Sequence, residues 1–345
     1  MTIKLIDGCD LYSTTITDLF RRGYTTGGNG GGLAVVTNGG RYGQGMIRLT
    51  QSNTGNETLD ISYGAAFTTA TVAVALNFGV TVSGGSPTDR PLFQLRGGNA
   101  DAITVLYNYS TGNIEIRRGG VAGTSLQTIS TTITNGTWYH WEFKVVISTT
   151  VGTLDLYKDG VSIHTSTGQN TGSISIDQCR FNAPGGTNRR SVDIDDIVLT
   201  DGDLFGNSRI HTLSPSSDTA EKDFSRSTGA DNFALVDEKP PTDDTDYVFG
   251  STSGDYDLYG MGNLPVVPAN LYAVQVSLVT RKVEAGGRSI RTKLKSGAST
   301  YDGTYASLNL TYTIHSTLYR LNPNGNVTWT NAAVNAASAG MELST

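Results

Sequence analysis

The 345-residue sequence predicts an all-β protein of two β-sandwich domains, residues 1–203 and 204–345. Three observations carry that prediction. Only 16% of residues are charged, 42 are glycine, and uninterrupted helical periodicity is scarce. Apolar and polar residues alternate with period two in short runs, and turn residues close those runs about every 8–12 positions. The clearest run is GTWYHWEFKVVISTTVGTLDLYKDGVSIH, Gly136 to His164.

In that run Tyr139, Trp141, Phe143, Val145 and Ile147 share one face, which is predicted core. Trp138, His140, Glu142, Lys144 and Val146 share the other, which is predicted wet. Thr153 to Lys158 forms a second strand, and Asp159-Gly160 supplies the two positive-φ residues of a type I′ turn. Pairing across that turn sets Lys158 against Val161, Leu156 against Ile163, and Asp155 against His164.

The other elements follow in order. Ile3 to Ile6 is an opening strand ended by Asp7-Gly8. Arg22 to Gly32 is a glycine-rich loop; cradling a nucleotide phosphate would require a following helix and a Gly-Lys pair, which the sequence lacks. Strands are predicted at Arg41–Thr50, Glu57–Tyr63, Thr71–Val82, Leu92–Arg96, Ala102–Tyr107 and Asn113–Arg117. Ser173–Asn182 and Ser191–Thr200 complete the first domain. In the second, strands fall at Leu271–Thr280, Ser289–Lys295 and within Ser307–Leu321, and the Ala/Asn-rich stretch Asn331–Ala339 reads as a short helix.

Two patterns resemble known families. G-x-W-x-x-x-E-F-x-V with L-x-L-Y-x-D-G-x-x-I, read across Gly136 to Ile163, resembles laminin G-like modules of the concanavalin A-like superfamily. That resemblance implies a two-sheet jelly roll for residues 1–203. The closing I-D-D-I-V-L-T-D-G (Ile194 to Gly202) and the opening D-G-C-D-L-Y (Asp7 to Tyr12) resemble jelly rolls encoded among bacteriophage structural genes, in which the first and last strands pair. Residues 204–345 continue it. Their ALVDEKPPTDDTDYV (Ala234 to Val248), AVQV with a downstream RSIR, and WTNAAVNA are similar to recurring blocks of phage virion proteins. The resemblance implies a non-enzymatic structural component of a virion, attached to capsid or tail by contacts with other virion proteins and with further copies of itself. A glycan-binding adhesin that contacts the host surface is the alternative.

Charge and composition bound the partners. The net charge of −6 is spread over both halves, so sequence-independent binding to nucleic acid is not expected. No stretch approaches the apolar length of a membrane span. The apolar run in MTIKLIDGCDLY is too short for a signal peptide, which predicts synthesis in the host cytoplasm and buried thiols at Cys9 and Cys179.

Catalytic and metal motifs are weak. Glucanases of the superfamily carry E-x-D-x-E on a strand; the nearest stretch is Asp193-Ile194-Asp195-Asp196, with no glutamate. Its carboxylates are expected at the surface beside Arg189 or Arg190. The four histidines lack zinc-ligand spacing, and Asp155 with His164 reads as an exposed ion pair. Laminin G-like modules often hold Ca²⁺ at the sandwich rim; Asp89 and Asp101 are the candidates here, with the Asp243–Asp246 run a further one. Of Trp138, Trp141 and Trp329, Trp141 belongs to the core, whereas Trp138 beside His140 is the candidate glycan contact. Arg291, Lys293 and Lys295 share a strand face, and with Asp243, Asp244 and Asp246 they are candidate assembly contacts between copies.

Overall fold

A computed structural model describes residues 2–27, 32–50, 57–79, 90–183 and 191–344. The chain divides into two compact units, Met1–Ile210 and His211–Thr345. Helices are short, such as α1 (Thr17–Phe20), and among the described residues no helix is long and apolar enough to cross a membrane.

The first unit opens with β1 (Ile3–Asp7), β2 (Thr25–Gly27), β3 (Leu33–Val36), β4 (Met46–Thr50) and β5 (Glu57–Phe67). Next come β6 (Thr69–Phe78), β7 (Arg90–Gly97), β8 (Ala100–Asn108), β9 (Asn113–Arg118) and β10 (Thr124–Ser130). It closes with β11 (Trp138–Val146), β12 (Gly152–Lys158), β13 (Val161–Gln169), β14 (Ile176–Ala183) and β15 (Ser191–Thr200). Among the described residues these make an eight-stranded sheet, β13-β12-β11-β6-β15-β4-β3 with β1 also on β15, and a seven-stranded sheet, β10-β9-β8-β7-β14-β5-β2. All pairings are antiparallel, and the chain crosses repeatedly between sheets, as a jelly roll does.

Alternation puts Trp141, Phe143 and Val145 of β11 beside Val74, Val72 and Ala70 of β6, all fully buried. They face Leu95, Ile103, Val105, Ile116 and Phe181 of the other sheet, with the Phe93 and Phe143 rings 5.9 Å apart. First and last strands pair as expected, with Asp7 opposite Ile197. The opening Asp-Gly motif has a physical reason: the Asp7 carboxylate accepts the Cys9 amide at 2.8 Å and the hydroxyls of Tyr12 and Tyr24, all inside the fold. Cys9, in the bend after β1, and Cys179 of β14 are buried thiols.

At the predicted hairpin, Asp159 and Gly160 have φ of 52° and 80°, and Lys158 faces Val161. A bulge then shifts the register, so Leu156 faces His164 and Asp155 faces Thr165. The expected Asp155–His164 pair is therefore corrected: His164 bonds Ser166 Oγ at 3.0 Å instead.

The second unit contains β16 (Pro215–Lys222), β17 (Ser225–Arg226), β18 (Val248–Phe249), β19 (Tyr256–Met261) and β20 (Val274–Thr280). It continues with β21 (Ser289–Ser296), β22 (Ser299–Asp302), β23 (Ala306–Ser307), β24 (Thr313–Tyr319), α2 (Asn331–Asn335) and β25 (Ser338–Ser344). Its main sheet runs β16-β19-β25-β21-β22, with β23 on β21; β20 and β24 form a separate ribbon. Val276 of the ribbon and Leu294 of the sheet share a core cluster with Trp329 and Val334, so this unit too is a sandwich. The predicted helix is real but stops at Asn335, with Thr330 capping the Ala333 amide at 3.1 Å. Beyond the helix, Ser338–Ser344 form a central strand of the sheet, between β19 and β21.

Candidate functional site

The outer faces of the two sheets of the first unit differ in what polar groups they present. On the eight-stranded sheet, His140 and Glu142 were expected to meet water, yet they are 0% and 1% exposed. Residues 203–210 lie over this face. Glu142 accepts the amides of Phe205 and, at 3.0 Å, Gly206; Asp196 accepts the Ile210 amide at 2.8 Å; His140 Nε2 meets Ser208 Oγ at 3.1 Å. Arg41 binds Asp196 at 3.2 Å, the Ser208 carbonyl at 2.9 Å and the Asn207 side chain. Small side chains beside them make room, since Ala75 lies opposite His140 and Ala73 opposite Glu142 on the neighbouring strand.

Burial, and then the Arg41 charge, push His140 down to about 3, so it is neutral at physiological pH. Burial also raises Glu142 and Asp196, and burial with the adjacent Asp196 charge pushes Asp195 up to about 8. These groups fasten a segment to the sheet. His140 is thereby removed as a glycan contact, while Trp138 stays half-buried at the strand start. Asp193, Asp195 and Asp196 are likewise buried and not at the surface: Arg48 holds Asp193 at 2.6 and 3.0 Å. Arg189 and Arg190, their expected partners, lie outside the described residues.

The outer face of the seven-stranded sheet is built differently. β14 reads Gln178-Cys179-Arg180-Phe181-Asn182, so alternation sends Cys179 and Phe181 inward and Gln178, Arg180 and Asn182 outward. Register brings Gln178 beside Arg96, Arg180 beside Gln94 and Asp60, and Gln94 beside Thr104. Outward-facing side chains in the middle of this face are recessed: Gln94 is 3% exposed, Arg96 and Asp60 7%, and Thr104 0%.

Each is held by its neighbours. Arg180 grips Asp60 through two bonds, 2.6 and 2.8 Å. Arg96 bonds Asp101 at 2.8 Å, Gln178 Oε1 at 2.9 Å and the Asn99 carbonyl at 2.5 Å. Gln94 donates to Asp101 at 3.1 Å and Thr104 at 3.3 Å, and takes a long 3.5 Å bond from Asn182. At the far side Arg117 holds Glu115 at 2.6 Å. Burial alone would raise the Glu115 carboxyl, but bonds from Arg117 and Asn108 bring it below the ordinary range.

The result is a recessed, rotamer-locked array of amides, guanidiniums, carboxylates and a hydroxyl. Of the calcium candidates, Asp101 is engaged by Arg96 and Gln94, and Asp89 lies outside the described residues. Among the described residues no cluster of three or more His, Cys, Asp or Glu has the disposition to hold a metal ion.

In the second unit the predicted assembly stripe is engaged within the chain. Arg291 and Lys293 bridge Asp302 at 2.8 and 2.9 Å, and both bind Glu342. Lys295 binds Glu221 at 2.8 Å. The cross-strand register explains it, because Arg291 sits opposite Glu342 and Lys293 opposite Asp302. Asp244 binds Arg281 at 2.6 Å and Tyr312 at 2.9 Å, Asp246 accepts from Thr242, and Asp243 occupies a turn position with φ of 56°. Trp329 is 4% exposed and gives its ring N–H to the Tyr319 carbonyl, so it is core and not a sugar platform.

No protein-family model and no curated protein matches this chain. Among solved structures it is similar to the carbohydrate recognition domain of Emp46p in its potassium-bound form, at 12% identity and a TM-score of 0.41. That match covers 58% of this chain and 97% of the other. Lectin II from Ulex europaeus is similar at 13% identity over 52% of this chain and 92% of that one, with a TM-score of 0.36. A carbohydrate-binding module from Bacillus subtilis is similar at 11% identity over 52% and 91%, with a TM-score of 0.30. Likenesses this distant say nothing of what the present chain binds.

Proposed function

We propose that the first unit is a non-catalytic carbohydrate-binding sandwich that holds a glycan against the outer face of its seven-stranded sheet. The observation that carries this reading is the recessed polar array around Gln94, Arg96, Gln178, Arg180 and Asn182. Planar amide and guanidinium groups fixed by their neighbours suit hydroxyl recognition, because little side-chain entropy remains to be lost on binding. Cleavage is not part of the proposal. Asp60, Asp101 and Glu115 are each bonded to an arginine, and Glu115 is shifted away from the raised value that a general acid requires.

The setting we propose is a phage particle, with the second unit contributing its attachment. This rests on the similarity of Ala234–Val248 and the later blocks to virion proteins. A glycan array probed with the full chain tests the binding reading: signal lost in Arg180→Ala supports it, and a blank array overturns it. Mass spectrometry of purified virions tests the setting, which fails if the chain is absent from them.

A further inference from the structure

In an asparagine followed by glycine the backbone can attack its own side chain, because a residue without Cβ lets its nitrogen reach the asparagine Cγ. The sequence holds four such pairs, at Asn29-Gly30, Asn38-Gly39, Asn135-Gly136 and Asn324-Gly325. The first lies outside the described residues. In the other three the asparagine and its glycine are all exposed, so exposure does not separate them. Hydrogen bonding does. Ring closure requires the glycine nitrogen to lose its proton, and an N–H held by a carbonyl is shielded from hydroxide until that bond opens, as in hydrogen exchange.

Two of the three are shielded in this way. Gly136 gives its N–H to the Phe78 carbonyl at 2.7 Å, and Gly39 gives its N–H to the Gln44 carbonyl at 3.2 Å. Asn324-Gly325 is built otherwise. It sits at the tip of the loop between Asn322 and Val327, whose backbones bond one another at 2.7 and 3.3 Å. Asn322 is 5% exposed, and its side-chain oxygen accepts the Ser296 hydroxyl at 2.8 Å and the Asn324 N–H at 3.0 Å. These bonds fix the base of the loop and use the amides of Asn322, Asn324 and Val327. The Gly325 N–H has no acceptor among the described residues, and its φ of 89° is one that glycine adopts without strain.

We propose that Asn324-Gly325 is a site of spontaneous covalent modification, at which Asn324 converts to aspartate and isoaspartate while Asn38 and Asn135 persist as asparagine. The deprotonated Gly325 nitrogen bonds to Asn324 Cγ, the Cγ–Nδ2 bond breaks, and the amide nitrogen leaves as ammonia. Water then opens the five-membered imide at either carbonyl. Opening at Cγ gives aspartate in the original chain; opening at the main-chain carbonyl gives isoaspartate, with the backbone rerouted through Cβ and Cγ. The net exchange is one water in and one ammonia out, and each event adds a negative charge and, in isoaspartate, one methylene to the loop.

Peptide mapping of the full chain, sampled over time in mildly alkaline buffer, tests this, with fragmentation that separates Asn29 from Asn38 and isoaspartyl methyltransferase labelling to count isoaspartate. Conversion at Asn324 should be about tenfold faster than at Asn38 or Asn135, which is the 1.4 kcal/mol of opening one hydrogen bond. In urea strong enough to unfold the chain the three rates should converge, and Asn324→Gln should abolish the signal from its peptide. Equal rates at all three sites in the folded chain, or faster conversion at Asn38 or Asn135, overturns the proposal. The same ordering persisting in urea overturns it too, because the difference would then lie in local sequence and not in the fold.

Discussion

Replacing Glu142 with alanine tests how residues 203–210 are fastened to the eight-stranded sheet. The carboxylate is 1% exposed and accepts two backbone amides, those of Phe205 and Gly206. A hydrogen bond to a charged acceptor is worth about 1.5–3 kcal/mol, so two give roughly 3–6. Relief of the buried charge offsets part of that, since burial holds the Glu142 carboxyl above its ordinary value. A net loss of about 2–4 kcal/mol is expected. Glu142→Gln keeps one oxygen acceptor and should lose about half as much. The assay is urea unfolding combined with peptide-resolved hydrogen exchange, in which 203–210 should exchange faster in both variants. A loss under about 0.5 kcal/mol, the range of ordinary surface changes, with unaltered exchange would refute the clamp.

Three further outcomes follow from the same structure. Trp141→Ala should cost about 3–5 kcal/mol, because the ring is fully buried on the inner face of β11. Gly340→Ala should cost about 3 kcal/mol or more in the second unit, since its Cβ would lie 1.9 Å from the Asp257 carbonyl oxygen; a variant melting with the parent would contradict the β19–β25 register. The pH profile is signed. His140, lowered in the fold, contributes stability that is full above about pH 6.5 and lost toward pH 3; Asp195, raised to about 8, contributes stability present below about pH 4 and lost as pH rises to 8. The two slopes oppose one another between about pH 4 and 6.5, and the Asp195 slope persists above, so urea midpoints should fall from pH 6.5 to 8. In His140→Gln the fall should begin near pH 4, and a midpoint that rises across pH 6.5–8 contradicts the assignment.

Strand alternation made much of the fold legible. The inward set of β11 follows directly from Trp138 to Val146, and the I′ turn from Asp159-Gly160. The wet face assigned to His140 and Glu142 was not legible, because what covers it is Phe205 to Ile210, some 60 residues later and with no periodicity of its own. Two polar residues at the centre of a strong strand, flanked by Ala73 and Ala75 on the neighbour, are the retrospective signal. The Asp155–His164 register failed for a smaller reason, a bulge that counting from the turn does not see. The Arg291-Lys293-Lys295 stripe was visible, but its acidic partners Glu342, Asp302 and Glu221 come from three other strands, which one strand's pattern does not announce. The candidate site was written plainly in the polar–apolar alternation of Gln178 to Asn182. Only the burial of its neighbours and the bonds that hold them distinguish it from any wet strand face.

Hydrogen exchange of the full chain, with and without a glycan that scores on the array, tests the central claim most directly. Protection is expected in peptides covering Ile176–Ala183 and Arg90–Gly97, with none at Trp138–Val146 or 203–210. Protection confined to Trp138–Val146, leaving β14 unchanged, would move the site to the opposite sheet and contradict the account.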